Sequence, residues 1–361
     1  MSTLKVDSIG NSGSAVNFPN NVQAGDGFAK REYTSSATAP SGANNGALWW
    51  DTANEGLYLK IAGFWYEVSA SLPPIWYGSR GLFGGGNDGA FQNVIDYVTI
   101  ATAGNATDFG DNSETLYDNA ACSNGSRIVF GGGQSAKNII EYVTAATTGN
   151  ATDFGDLTVG RSALAAASNG TRGLFGGGQS SSNRSDVIDY ITIASTGNAT
   201  DFGNLTLARN GVAACSSGTR GVWGGGYSNA GNHNIIDYVT IDSAGDATDF
   251  GDLTIIVSNL ASTSNTVRGI FGGGTSGGDT NVISYITIAT TGNATDFGDL
   301  TANTSALAAT SDNSRGLFGG GYIAGATNVI SYITIATTGN ATDFGDLTVA
   351  RYELNAAASG A

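Results

Sequence analysis

Cysteine, histidine and proline are nearly missing from these 361 residues, which hold two Cys, one His and four Pro. His233 is the one histidine and there is no Cys cluster, so a zinc or iron site lacks ligands. A Ser-His-Asp arrangement is likewise unsupported. Cys122 and Cys215 fall at equivalent points of separate repeats, AACSNG and AACSSG, so no disulfide is expected between them, and both read as small buried residues. Charge is sparse at 12% of residues, with 30 acids against 15 bases. The resulting net charge of −15 would be repelled by nucleic acid and by an anionic membrane. It favours solubility, with uptake of a divalent cation by some carboxylates as the alternative. No apolar run reaches the length of a membrane span. The opening MSTLKVDSIG lacks an apolar core and does not read as a signal peptide. No segment keeps a helical period for more than a turn or two.

What the chain has in excess is glycine, 55 residues, and the glycine recurs in register. RGLFGGG at 80–86 returns with small changes at Arg127, Arg172, Arg220, Arg268 and Arg315, at spacings of 45 to 48 residues. One unit reads ALAAASNGTRGLFGGG, then a variable stretch, then DVIDYITIASTGNATDFGNLT (163–205). Four strand-like pieces alternate with turn chemistry. A four-stranded unit of this length is a β-propeller blade. The fold class expected is all-β: a six-bladed kelch-like β-propeller over 76–361, preceded by a small N-terminal β module over 1–75. The glycine triplets are expected to mark the exit of each inner strand, where blades crowd and φ can turn positive. A phosphate loop would need a Lys-Ser/Thr and a helix after the glycines, and no copy has them. The first unit lacks its ALAAAS strand, and the chain ends in RYELNAAASGA, so the C-terminal strand is expected to complete blade one and close the ring.

The order of these features resembles a kelch propeller, with a Tyr in the third strand and an aromatic before the blade ends. That aromatic is Phe here (Phe109, Phe154, Phe202, Phe250, Phe297 and Phe344). Residues 1–75 do not repeat. LKVDSI and AVNFP look like short strands and SSATAPSGANNG like a linker. ALWWDT, LYLKI and FWYEV read as a three-stranded meander. MSTLKVDSIGNSGSAVNFPN, PSGANNGALWWDTANEGLYLKIAGFWYEV and the repeat itself are similar to tail-fibre-like virion proteins of marine bacteriophages, of the cyanophage type. That resemblance implies a virion location in a tail or fibre. It implies attachment to other virion proteins through the N-terminal module, a homotrimer, and a distal domain that touches a host receptor, possibly a glycan. A head, neck or tail-tip decoration protein and a polysaccharide depolymerase are the alternatives. No enzyme activity, cofactor, metal, nucleic acid or membrane insertion is expected.

Candidate chemistry is spread over the repeat. D-F-G-D places two carboxylates three residues apart at Asp108/Asp111 and its copies, with Asn204 replacing the second acid in blade three. Sixfold repetition favours a structural use, in which the Asp caps a turn or pairs with the repeating Arg; calcium binding and acid–base chemistry are the alternatives. The third strand carries Asp96, Glu141, Asp189 and Asp237, but Ser284 and Ser331 in the last two blades. These acids are expected on a solvated strand face or, alternatively, as a cation-attracting patch. GNAT, at Asn105, Asn150, Asn198, Asn293 and Asn340, reads as a turn. Binding is expected in the unlike loops after each GGG, on one face with the blade-to-blade connections. The candidate residues are Phe91, Arg184, Tyr227, His233 and Tyr322 from the loops, with Arg161, Arg209 and Arg351 from the connections. Aromatic and polar groups on a shallow face suit a glycan or a protein surface.

Overall fold

The computed structural model describes residues 78–360 continuously. Before them it describes 10–11, 16–17, 33–36, 38, 41, 47–51, 56–61 and 64–67. The chain divides into two units, Met1–Leu72 and Pro73–Ala361. In the first, Leu48–Asp51, Gly56–Ile61 and Phe64–Glu67 pair as an antiparallel meander, and Tyr33–Ser36 adds in parallel beside Leu48–Asp51. Gly10–Asn11 pairs with Val16–Asn17. The strand expected over LKVDSI and most of the expected linker lie outside the described residues.

The second unit is a six-bladed β-propeller of four-stranded antiparallel sheets. Blade two shows the pattern: Ala120–Ser123, Arg127–Gly131, Ile139–Thr144 and Thr152–Asp156, in that order across the sheet. The closing strand is where the repeat count placed it. Asn355–Gly360 pairs antiparallel with Gly78–Gly84 and completes blade one, so the ring is closed by the two ends of the propeller.

One expectation is corrected. The glycine-rich strand is the second of each blade. The inner strands are the small-residue segments: Ala120–Ser123, Ala165–Ser168, Ala213–Ser216, Ala261–Ser264, Ala308–Ser311 and Asn355–Gly360. Each touches the next around the axis. Six strands converge there, and apart from Asn355 and Gly360 they carry only Ala, Ser, Thr and Cys. Cys122 and Cys215 line this channel, both buried and unpaired, and burial pushes the Cys122 thiol up to about 12.

The triplet answers a different crowding. A Cβ on Gly131 would lie 2.7 Å from Cε1 of Phe175 in the next blade. The first glycine is therefore the seat for the neighbouring blade's Phe ring, and Trp223 fills the same role over Gly176. The next two glycines turn the chain at positive φ, as Gly132 (77°) and Gly133 (137°) do. The core thus lies between blades. Each cluster takes its Phe from one blade and its Ile/Leu wall from the neighbour, as with Phe175 against Val129, Ile140 and Phe154. Removing one such ring costs about 3–5 kcal/mol.

Two hydrogen-bonded belts tie the blades together. At the periphery the Gly149 N–H donates to Phe109 O (2.8 Å), the Ala151 N–H donates to Asp111 O (2.7 Å), and Asn150 Oδ1 accepts from the Asp111 N–H (3.1 Å). This latch repeats around the ring and across the closure, where Gly104, Asn105 and Ala106 engage Phe344 and Asp346. GNAT is therefore more than a turn. At the axis, Asp118, Ala163, Gly211, Asn259, Ala306 and Glu353 all take left-handed φ between 51° and 60°. Each donates its N–H to the carbonyl of the one before, in a closed circle of 2.7–2.9 Å bonds.

The repeating Arg does not pair with the D-F-G-D acids. Arg127 lies 4.5 Å over the Tyr142 ring and donates Nη1 to Ile193 O (3.2 Å) and Ala194 O (2.9 Å) of the next blade. The Tyr in turn meets the D-F-G Phe edge-on, with Tyr142 and Phe154 centroids 6.0 Å apart. Arg80, Arg172, Arg220, Arg268 and Arg315 repeat the stacking at 4.6–4.9 Å.

Candidate binding face

Antiparallel order places the second-to-third-strand loops and the blade-to-blade connections at the same end of the ring. Isolated bridges join them: Asn87 to Tyr352, Ser162 to Gln179, Asn210 to Tyr227, Ser258 to Thr275 and Ser305 to Tyr322. The loops therefore gather on one face, as expected. Among the described residues seven large hydrophobic side chains are exposed. Six of them (Phe91, Val159, Tyr227, Ile256, Tyr322 and Ile323) are in these loops and connections; the seventh, Val267, is in a turn at the opposite end.

The loop residues singled out in the sequence form pairs with neighbours. Phe91 is 49% exposed and leans on Tyr117, with centroids 4.6 Å apart. Tyr322 meets Tyr352 edge-on at 5.5 Å. Arg184 reaches from the third blade's loop to the fourth, lying 4.5 Å over Tyr227. Its Nε donates to Asn210 Oδ1 at 3.1 Å, and its Nη1 is bonded to Asn229. His233 is half-buried in a hairpin that extends the third strand of blade four, Gly231–Thr240. Its Nε2 is 2.6 Å from Ser228 Oγ. Burial first, and the Arg209 charge second, hold its pKa below the ordinary histidine value, so it is neutral at pH 7.

Arg161, Arg209 and Arg351 do not belong to this surface. All three are fully buried beneath it. Arg161 Nη2 meets Asp189 Oδ2 at 2.5 Å, Arg209 meets Asp237 at 2.9 Å, and Arg351 meets Asp96 at 3.0 Å. The acids expected on a solvated strand face or as a cation-attracting patch are thus the buried partners of the arginines expected on the binding face. A charge is tolerated inside only when paired and hydrogen-bonded. Burial pulls each guanidinium below its usual pKa, and the facing Asp opposes that pull. Each Asp also accepts a hydroxyl bond from a Thr of the same connection: Thr158 to Asp189, Thr206 to Asp237 (2.6 Å) and Thr348 to Asp96 (2.6 Å). Glu141 of blade two has no Arg. Leu116 stands in that place, and Glu141 Oε2 accepts the Ser113 N–H at 2.9 Å. Burial, the largest influence, raises its pKa.

The channel opens on this face through a mouth lined by Asp118, Glu353, Asn119 and Leu354, among others. Its two acids are neighbours in the axial circle. Burial first, and the Glu353 charge second, push the Asp118 carboxyl up to about 7. Glu353 is also raised by burial, with a bond to Asn87 opposing.

The sequence carried the signal for the buried pairs. The Arg position holds Arg only where the following blade has Asp in its third strand. It holds Leu116, Val257 and Thr304 before Glu141, Ser284 and Ser331. The latch shows the same coupling. Asn204 replaces Asp in one outer strand, and Asp246 replaces Asn in the turn that meets it, with Asn204 Nδ2 donating to Asp246 Oδ1 at 3.1 Å. No protein-family model matches the chain, and no curated protein matches it.

Proposed function

We propose that the chain is a non-enzymatic virion component of a marine bacteriophage, whose propeller attaches the particle to a glycan on the host surface. The observation that carries this reading is the loop face. Loops of different length and composition stand on a sixfold-repeated frame, and with the blade-to-blade connections they hold six of the seven large hydrophobic side chains exposed among the described residues. Rigid frame and unlike loops are how binding specificity is commonly built. Exposed aromatics beside polar side chains suit sugar rings. The net charge of −15 favours a neutral glycan over a polyanionic one. The resemblance of the N-terminal segment to phage fibres supplies the virion setting, with that segment as the attachment and trimerising module. The test uses the purified full-length chain and marine cyanobacterial cells susceptible to the phage. Labelled protein is expected to bind the cells, and preincubation is expected to slow phage adsorption. Neither binding nor slowed adsorption would overturn the reading.

A further inference from the structure

The six blades are copies, so each can be compared with the others position by position. In blade three the Arg161 guanidinium occupies a slot built by the blade itself. It donates to Gly177 O (2.8 Å), Val187 O (2.5 Å), Phe175 O (3.3 Å) and Asp189. In blade six the same slot is formed by Gly320, Val329, Phe318 and Ser331, with Thr304 in the place of the Arg. No side chain fills it. A cavity of about 60 Å³ remains, lined by these residues together with Thr301, Thr327, Leu300, Leu307 and Ile323. Ser331 is 5% exposed, and the Ser331 and Thr301 hydroxyls have no hydrogen-bond partner. The other blades without Arg are closed differently. In blade five Val257 fills the position, and Thr254 and Ser284 bond each other at 2.5 Å. In blade two Leu116 fills it.

The slot opens on the loop face. Ile323, 39% exposed, stands at its edge, and the neighbouring Tyr322 pairs through its backbone with Ser305, next to Thr304. Its chemistry is that of a guanidinium site from which the anion has been removed. Carbonyls and hydroxyls remain to accept hydrogen bonds, apolar walls remain from Leu300, Leu307, Phe318 and Val329, and Ser331 gives no countercharge. A buried cation is disfavoured without a carboxylate. A flat, neutral group with an N–H donor and a methyl fits.

We infer that this slot in blade six is a ligand subsite for the acetamido group of an N-acetylated sugar, with the sugar ring lying toward Tyr322. The inference rests on the glycan-binding reading above and narrows it to one class of sugar.

The test is saturation-transfer NMR on the full-length chain with N-acetylglucosamine and N-acetylgalactosamine at millimolar concentration, and with glucose and galactose as controls. The acetamido methyl is expected to receive the strongest saturation, and the controls little. The double substitution T304R/S331D installs the Arg–Asp pair of blades one, three and four and fills the slot. It is expected to keep or raise the melting temperature and to reduce the acetamido signal at least tenfold. Thr304→Leu, which copies Leu116 of blade two, provides a second filled slot should the charged pair not fold. Absence of the acetamido signal in the native chain would overturn the inference. So would its survival in a folded filled-slot variant, or binding of methylguanidinium in place of the sugars. Cell binding measured on the same samples separates the two claims. Cells bound without acetamido recognition would sink the subsite and leave the adhesive reading standing. Acetamido recognition without cell binding would do the reverse.

Discussion

Blades one, three and four are keyed by a buried Arg–Asp pair, whereas blades two, five and six fill the same place with Leu, Val or an open slot. The frame around the place barely differs between the two sets. In every blade the second strand ends in Gly, the next blade's aromatic ring seats on that Gly, and the third strand carries its Tyr. The difference teaches that the two members of the pair are exchanged together. Either member left without the other would be an unpaired buried charge; the one acid kept without an Arg is Glu141, which accepts the Ser113 N–H and whose pKa burial raises. Val257 with Ser284, or Thr304 with Ser331, is an acceptable alternative, since replacing a buried ion pair as a unit is often nearly neutral.

The largest expected effect comes from breaking a keyed blade. Asp237→Ala leaves Arg209 buried beside a hole and is expected to cost about 3–5 kcal/mol, read as a lowered denaturant midpoint. Converting the same blade to the pattern of blade five, with R209V and D237S together, is expected to recover at least half of that loss. Failure to recover it would show that the blades are not interchangeable at this position. The channel mouth gives a pH-dependent contrast. The folded state holds the Asp118 proton more tightly than the unfolded chain, since its carboxyl is raised from 3.8 to about 7. Its favourable contribution is therefore complete below about pH 4 and lost as pH rises through about 7. Asp118→Asn is expected to raise the melting temperature at pH 8 and leave it nearly unchanged at pH 4. Equal shifts at both values would place the effect elsewhere. The smallest effect belongs to the peripheral latch. Asn204→Asp sets two carboxylates against each other in the one latch where the residues are exchanged, and is expected to cost under ~1 kcal/mol, as exposed charges do. Adding Asp246→Asn, which restores the pattern of the other five, is expected to return the native midpoint in a denaturant titration.

Much of the frame is legible in the sequence. The spacing of Arg80 to Arg315 gives the blade count, and the orphan NAAAS segment locates the closing strand. The channel-lining strand is not legible in the sequence, because a glycine triplet signals crowding without saying from which side. Gly131 is crowded by Phe175 of the next blade, while the axis is reached by Ala and Ser strands. The candidate site was half legible. Phe91, Arg184, Tyr227, His233 and Tyr322 stand in the loops of one face. The connections carrying Arg161, Arg209 and Arg351 also reach that face, and a chain position does not say whether a side chain turns outward or back into the sheet, as these three do.

The sequence alone determined the periodic properties: strand count, blade number, ring closure and the uneven loops. Each follows from local turn chemistry and from repetition, which a linear string records. Only the tertiary structure decided which strand faces the axis, which arginines are buried and where a slot is left open. Those depend on pairs such as Arg351–Asp96 and Arg209–Asp237, which lie apart in the chain and meet only because the sheet of one blade packs against the connection from another.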